Sequence, residues 1–123
     1  MPAPATAQIG KALGIEMEAG GALVPAKVHA KLYHKRRQDY GFCMRHAGSA
    51  LRSPDYAGVS PEHPGNVNVV KLTPGEGHDA VLVSFGKRRN RGGRYEVVTM
   101  HPIGRAKIMA RLAAGTMRLL PKK

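Results

Sequence analysis

Carboxylates are few in this 123-residue chain, with 8 Asp and Glu against 20 Lys and Arg. They stand apart, at Glu16, Glu18, Asp39, Asp55, Glu62, Glu76, Asp79 and Glu96. Two-metal phosphodiester chemistry needs several carboxylates converging on the ions, and a scattered set argues against it. Cysteine is nearly absent. Cys43 stands alone, which excludes an intrachain disulfide and a zinc cage of paired cysteines. On the apolar stripe of a helix it reads as a small core residue. None of the six histidines has His-Glu-x-x-His spacing, so neither a metal site nor a cofactor is expected. There is no Trp, and two Phe and four Tyr leave the core dependent on aliphatic side chains. No run approaches the ~20 apolar residues of a membrane span. Residues 1–7 lack the basic and apolar regions of a signal peptide and read as part of a leader.

Positive charge is what the chain has in excess, at net +12 and a pI near 10.5. Such a balance favours polyanions, nucleic acid first among them. Charge names the partner class and leaves open whether the chain cuts nucleic acid or only binds it. The length suits one domain. That domain is expected over 21–123, behind a leader or linker over 1–20 with room for a short helix.

Apolar spacing predicts that helix over 6–18, ended by Gly20-Gly21. Residues 22–25 read as a short strand or extended entry. Pro25 suits the first turn of a second helix, running to about residue 39, because its missing N–H costs nothing there. A third helix is predicted over 41–51, with Cys43, Ala47, Ala50 and Leu51 on one stripe. Strands follow at 67–72, 80–85 and 94–101, with 56–59 as a candidate edge strand and short glycine-containing connections between them. A C-terminal helix over 104–114 and a last short strand over 117–120 complete the reading. The fold class is therefore α+β: N-terminal helices, an antiparallel sheet of about four strands, and a C-terminal helix.

The stretch Arg94-Tyr95-Glu96-Val97-Val98-Thr99-Met100-His101-Pro102 carries the densest chemical signal. With strict period-two alternation, Tyr95, Val97, Thr99 and His101 share one face, and Glu96, Val98 and Met100 take the other. A hydroxyl and an imidazole then sit about 7 Å apart near the strand's end, with Pro102 stopping it. RNA is cleaved without a metal when a base removes the 2′-OH proton, an acid protonates the leaving 5′ oxygen and cations stabilise the phosphorane. Histidine suits the first two tasks, and Lys or Arg the third. His29 and His34 on the second helix are the candidates to complete the site. Five residues apart, they point about 140° from each other, so only one is expected to act. His29 is favoured, because Tyr33 and Arg36 share its face and supply a phenol and a guanidinium. Lys31 or Lys35 would support it. His63 and His78 read as exposed loop residues, and His46 as a packing residue. Between two strands, Lys87, Arg88, Arg89, Arg91 and Arg94 put five cations in nine residues, a loop suited to phosphate-backbone contact.

Four stretches, taken in order, carry a resemblance. They are the helix Val28-His29-Ala30-Lys31-Leu32-Tyr33-His34, the Ala50-Leu51-Arg52-Ser53-Pro54-Asp55-Tyr56 helix ending, and the strands over 79–85 and 95–102. This pattern resembles the barnase, EndoU, colicin and RelE-like group of metal-independent ribonucleases, in its phage-borne and polymorphic-toxin branch. It spans roughly residues 22–103; the motifs are short, and 105–123 has no clear counterpart. The resemblance implies His29 or His34 at the helix position and Thr99 or His101 at the strand position. It also implies an RNA substrate such as tRNA, no cofactor, and a cognate immunity protein or antitoxin. Such domains act in the cytoplasm of a target cell, delivered on a larger secreted or phage protein. Against this endoribonuclease toxin stands a second reading, a non-catalytic basic RNA- or DNA-binding protein.

Overall fold

Residues 80–85 are apolar at every position but Ser84, and a strand of that composition needs cover on both faces. The computed structural model, which describes residues 3–35 and 37–121, supplies it. The elements in chain order are α1 (Thr6–Leu13), β1 (Ala22–Leu23), α2 (Ala26–Lys35), α3 (Arg37–Arg52), β2 (Tyr56–Val59), β3 (Asn66–Leu72), β4 (Ala80–Gly86), β5 (Tyr95–Ile103), α4 (Arg105–Ala113) and β6 (Arg118–Leu119). The strands form one six-stranded sheet in the order β1-β5-β4-β3-β2-β6, antiparallel except where β1 lies parallel to β5. The fold is α+β.

One face of the sheet presents Val67, Val69, Val81, Val83, Phe85, Val97 and Met100 to the N-terminal helices. Those helices bury Ile9 from α1, Val28 and Leu32 from α2, and Phe42, Cys43, Ala47, Ala50 and Leu51 from α3 against it. The opposite face carries Val70, Ala80, Leu82 and Ile103, packed with Ile108 of α4 and Met117. Helix α4 covers only part of this second face, and the remainder stays open.

β5 does not keep strict alternation. Ser84 pairs with Thr99 and Phe85 pairs with Val97, so Val98 is the extra residue of a β-bulge. Tyr95 and Val97 therefore point toward the helices, while Thr99 and His101 point to the opposite face. The expected common face for all four is corrected: Thr99 and His101 do share a face, but Tyr95 and Val97 lie on the other. Met100 correspondingly joins the helix-side core. Pro102 does not stop the strand, which pairs through Pro102 to Ile103. β1 pairs only with Tyr95 and Glu96, so beyond them that side of β5 carries no strand that would require a proline N–H.

Two further expectations shift. Helix α3 begins at Arg37 and runs through Gly41, an exposed position where a helical glycine costs only about 1 kcal/mol. Described residues of the expected leader pack on the rest of the domain: Ile9 is fully buried, the Ala5 N–H donates to the Leu51 carbonyl at 2.9 Å, and the Gln8 amide reaches the Pro121 carbonyl. The Leu51–Asp55 motif has a structural role. Buried Asp55 accepts the Leu72 N–H at 2.7 Å and lies 4.0 Å from the Lys71 ammonium, tying the end of α3 to β3. On β2, Gly58 has no tolerance for a Cβ, which would stand 2.0 Å from the Thr116 carbonyl oxygen. Ile9→Ala is expected to cost ~2–4 kcal/mol of unfolding free energy in urea titration, as a buried aliphatic truncation does. An unchanged midpoint would place α1 outside the cooperative unit.

Candidate functional site

The open part of the second face is a cleft of about 400 Å³. Its floor is a row of polar side chains across three strands, because Asn68 pairs with Ser84 and Ser84 with Thr99. The bulge brings Thr99 into that row. Asn68 and Ser84 are only 6% and 5% exposed, and both line the cleft. His101 lies in the next row with Leu82 and Val70. Its Nδ1 lies 2.8 Å from the Pro102 carbonyl oxygen, which can only accept, so this nitrogen carries the proton. In the neutral ring the basic lone pair is then on Nε2.

The walls come from three other elements. The β2–β3 loop is tied to itself: Ser60 N–H to the Asn66 carbonyl at 3.0 Å, Asn66 N–H to the His63 carbonyl at 2.8 Å, and His63 N–H to the buried Ser60 hydroxyl at 3.3 Å. That loop holds His63, with Glu62 beside it, on the cleft's lining. Arg111 enters from α4, and Lys31 from α2 at the β5 edge. Two imidazoles, two permanent cations, hydroxyls and amides thus line one concavity.

Lys31 and Thr99 also line a second groove with His34, Lys35, Arg37, Gln38 and Asp39. His34 is in that groove; His29 lines neither. Helix α3 folds back directly after α2, so Tyr40 meets His29, with its hydroxyl 2.9 Å from Nδ1. Tyr33 is held edge-on to Tyr40 at 5.5 Å, with the Arg37 guanidinium 4.8 Å above its ring. The shared face of His29 and Tyr33 is real, but it packs on α3. Arg36 lies outside the described residues. Placement therefore favours His34 over His29 as the helix histidine nearer Thr99.

The remaining histidines are structural. His46 and His78 flank the Phe42 ring at 4.9 and 4.7 Å, with Glu76 4.0 Å from His46 and Asp39 3.5 Å from His78. These contacts dock the β3–β4 hairpin on α3; His78 is an exposed loop residue, as expected, and its ring still reaches Phe42. Sequence reasoning missed His63, Arg111, Asn66, Asn68 and Ser84. For the last two a signal existed: single polar residues interrupting the apolar runs Val67–Val70 and Ala80–Phe85. Nothing local marked His63 or Arg111, whose roles depend on which loop and helix close over the sheet.

The 86–94 loop is ordered by the Asn90 side chain, whose Oδ1 accepts the Gly92 and Arg94 N–H groups at 2.9 and 3.0 Å and whose Nδ2 donates to Glu96 at 2.9 Å. Arg89 is ion-paired with Glu18 and donates to the Ala19 carbonyl at 3.1 Å, so this cation fastens the 14–21 segment. Lys87 and Arg88 line the adjoining cleft with Glu16 and Glu18, while Arg91 and Arg94 are exposed. Buried Tyr95 donates its hydroxyl to the Glu18 carbonyl at 2.5 Å. Burial pushes the Tyr95 phenol above its usual range, with the Arg89 guanidinium opposing that shift. Because the folded state holds this proton more tightly, its contribution is complete below the unfolded value of about 10 and is lost as pH rises above it. Tyr95→Phe is expected to abolish that part of the alkaline loss and to cost about 1 kcal/mol at neutral pH for the missing hydrogen bond. Urea unfolding of both proteins at pH 7 and across pH 9.5–11.5 checks this, and parallel alkaline curves would refute it.

Among the described residues, no three His, Cys, Asp or Glu side chains converge to hold a metal ion, and no helix is long and apolar enough to cross a membrane. Comparison with protein-family models, curated proteins and solved structures returns no match for this chain, so the cleft's own geometry carries its functional reading.

Proposed function

We propose that the protein is a metal-independent endoribonuclease that cleaves RNA by 2′-OH transphosphorylation in the cleft over β3, β4 and β5. The observation that carries this reading is the convergence of His101 and His63 with Lys31 and Arg111 around Thr99. His101, with its basic nitrogen at Nε2, takes the 2′-OH proton as the 2′ oxygen bonds to phosphorus. Protonated His63 gives its proton to the 5′ oxygen as the P–O5′ bond breaks. The products are a 2′,3′-cyclic phosphate and a 5′-hydroxyl. Lys31 and Arg111 supply the fixed positive charge that the phosphorane needs, and Thr99 donates a hydrogen bond to it. His34, in the adjoining groove, holds a flanking phosphate. This reading agrees with the resemblance to the barnase, EndoU, colicin and RelE-like ribonucleases, and places the domain among toxins restrained by an inhibitor that covers Lys31 and Arg111.

The test is incubation with total RNA in EDTA, followed by end-group analysis. Cyclic phosphate ends are expected from the wild type, and folded His101→Ala and His63→Ala variants should each lose ~100-fold or more in rate. His29→Ala should retain near-wild-type activity. Wild-type activity in a folded His101→Ala protein refutes the assignment.

The exposed loop at Arg88, Arg91 and Arg94 also favours plain phosphate-backbone binding, with or without cleavage. Replacing Lys87, Arg88, Arg91 and Arg94 by Gln should lower the slope of log K against log salt by about 3, at ~0.7–0.9 per phosphate contact. Arg89→Gln should instead lower thermal stability, because Arg89 fastens Glu18 and Ala19. An unchanged slope in the quadruple variant would mean that the loop does not touch the nucleic acid.

A further inference from the structure

Six polar or charged side chains are buried among the described residues: those of Thr6, Asp55, Ser60, Asn68, Thr73 and Ser84. Asp55 accepts a backbone N–H, Ser60 accepts another, and Thr73 donates to the His78 carbonyl at 2.9 Å. Thr6, at the start of α1, makes no side-chain bond among the described residues; what sets Asn68 and Ser84 apart is their place on the cleft floor. Neither side chain makes a hydrogen bond among the described residues, although they are only 6% and 5% exposed. They are cross-strand partners, and both line the cleft floor. The one fully enclosed side-chain nitrogen or oxygen without a partner among the described residues is His46 Nε2, so the polar atoms of Asn68 and Ser84 are not sealed in the core but open onto the cleft. Two polar side chains that make no bond within the described residues, side by side and open to the same concavity, are placed to bond a ligand that enters it.

The charge distribution says which part of a ligand that is. Lys31, Arg111, Glu62 and His63 stand on the walls and His101 in the neighbouring row of the sheet, whereas Asn68 and Ser84 on the floor are neutral. A phosphate is drawn to the walls. The floor takes a neutral, planar, hydrogen-bonding group. Leu82 and Val98 line the same cleft and offer apolar contact to the faces of such a group. An asparagine carboxamide presents a donor and an acceptor side by side, which is the complement of a nucleobase edge.

We infer that Asn68 and Ser84 form a base-reading subsite, with Asn66 at its mouth, and that the protein acts on unpaired RNA with a preference for one base beside the scissile phosphate. The base must be unpaired, because a floor nine-tenths buried is reached only by a nucleotide turned out of a helix. The inference rests on the ribonuclease reading for the position of the phosphate, and on the floor alone for recognition of the base.

The experiment separates the two. The full ¹⁵N-labelled chain is titrated with each of the four nucleoside 3′-monophosphates, and with inorganic phosphate. The side-chain amide resonance of Asn68 is followed, assigned from its disappearance in Asn68→Asp. One nucleotide should bind ~10-fold more tightly than the weakest, as for one bidentate base contact, and should shift the Asn68 amide. Inorganic phosphate should leave that amide unmoved. Asn68→Asp should erase the preference, and Ser84→Ala, a milder change, should reduce it. Equal affinities for all four nucleotides, or an unmoved Asn68 amide at saturation, overturn the inference even if RNA is cleaved. Base-selective binding without cleavage leaves the subsite standing and removes the catalytic reading instead.

Discussion

β5 has two surfaces to satisfy at once, and the single extra residue at Val98 makes that possible. Strict alternation would send Tyr95, Val97, Thr99 and His101 to one face. If Tyr95 and Val97 filled the core beneath the helices, a hydroxyl and an imidazole would be driven into it as well, at a desolvation cost of several kcal/mol. The bulge reverses the phase between Val97 and Thr99. The first half of the strand then closes the core, Tyr95 lying against Phe85 at 5.7 Å, and the second half faces the cleft. The strand's packing and its chemistry are divided at one residue. Bulges commonly re-aim side chains beside functional sites.

The second face of the sheet shows why the cleft stays open. Helix α4 covers the end where Val70, Ala80, Leu82 and Ile103 gather around Ile108. One row further along, Asn68, Ser84 and Thr99 offer α4 nothing apolar to pack on. Asp79 fixes where that helix starts, since its carboxylate accepts the Arg105 N–H at 3.0 Å, where the helix dipole also favours an anion. With its start held there and nine residues in length, α4 puts Arg111 at the cleft. The concavity follows from apolar cover ending where polar residues begin.

Much of the fold was legible because it rests on local pattern. The strands over 56–59, 67–72 and 80–85, the C-terminal helix and even the two-residue strands beside residues 22 and 118 carry alternation, turn residues or caps that any reader can locate. The α2–α3 break was misplaced because Gly41 resembles a boundary although it sits inside a helix, whereas the true junction beside Arg37 has no breaker. The site was half legible. Of the residues that line the cleft, Thr99, His101 and Lys31 are the ones that residue type and spacing single out. The bulge was not legible, since Glu96-Val97-Val98-Thr99 contains no glycine or other mark of an extra residue. His29 was preferred for its helix neighbours, and its actual partner, Tyr40, belongs to another helix. His63 and Arg111 enter the cleft from elements far apart in the chain, and such convergence is a property of topology.

The scarcity of acid finds its physical meaning in how the acids are used. Asp55 holds a β3 N–H, Asp79 the start of α4, Glu96 the Asn90 amide, Glu18 the Arg89 guanidinium, and Asp39 and Glu76 approach His78 and His46. Six of the eight carboxylates are thus committed to fastening backbone and loops. Only Glu16 and Glu62 line clefts without such a bond among the described residues. Few acids are left to neutralise the cationic walls, so the net charge of +12 is not spread evenly in its effect. Self-repulsion on that scale opposes compactness, and under the proposed reading a bound polyanion would relieve it where protein carboxylates are missing. Lys31 concentrates this effect, because it borders both the polar-floored cleft and the groove of His34, Lys35 and Arg37. Lys31 and Thr99 line both, so the two grooves meet at the edge of β5, and under the proposed ribonuclease reading a nucleic-acid strand entering either one would meet the same ammonium group.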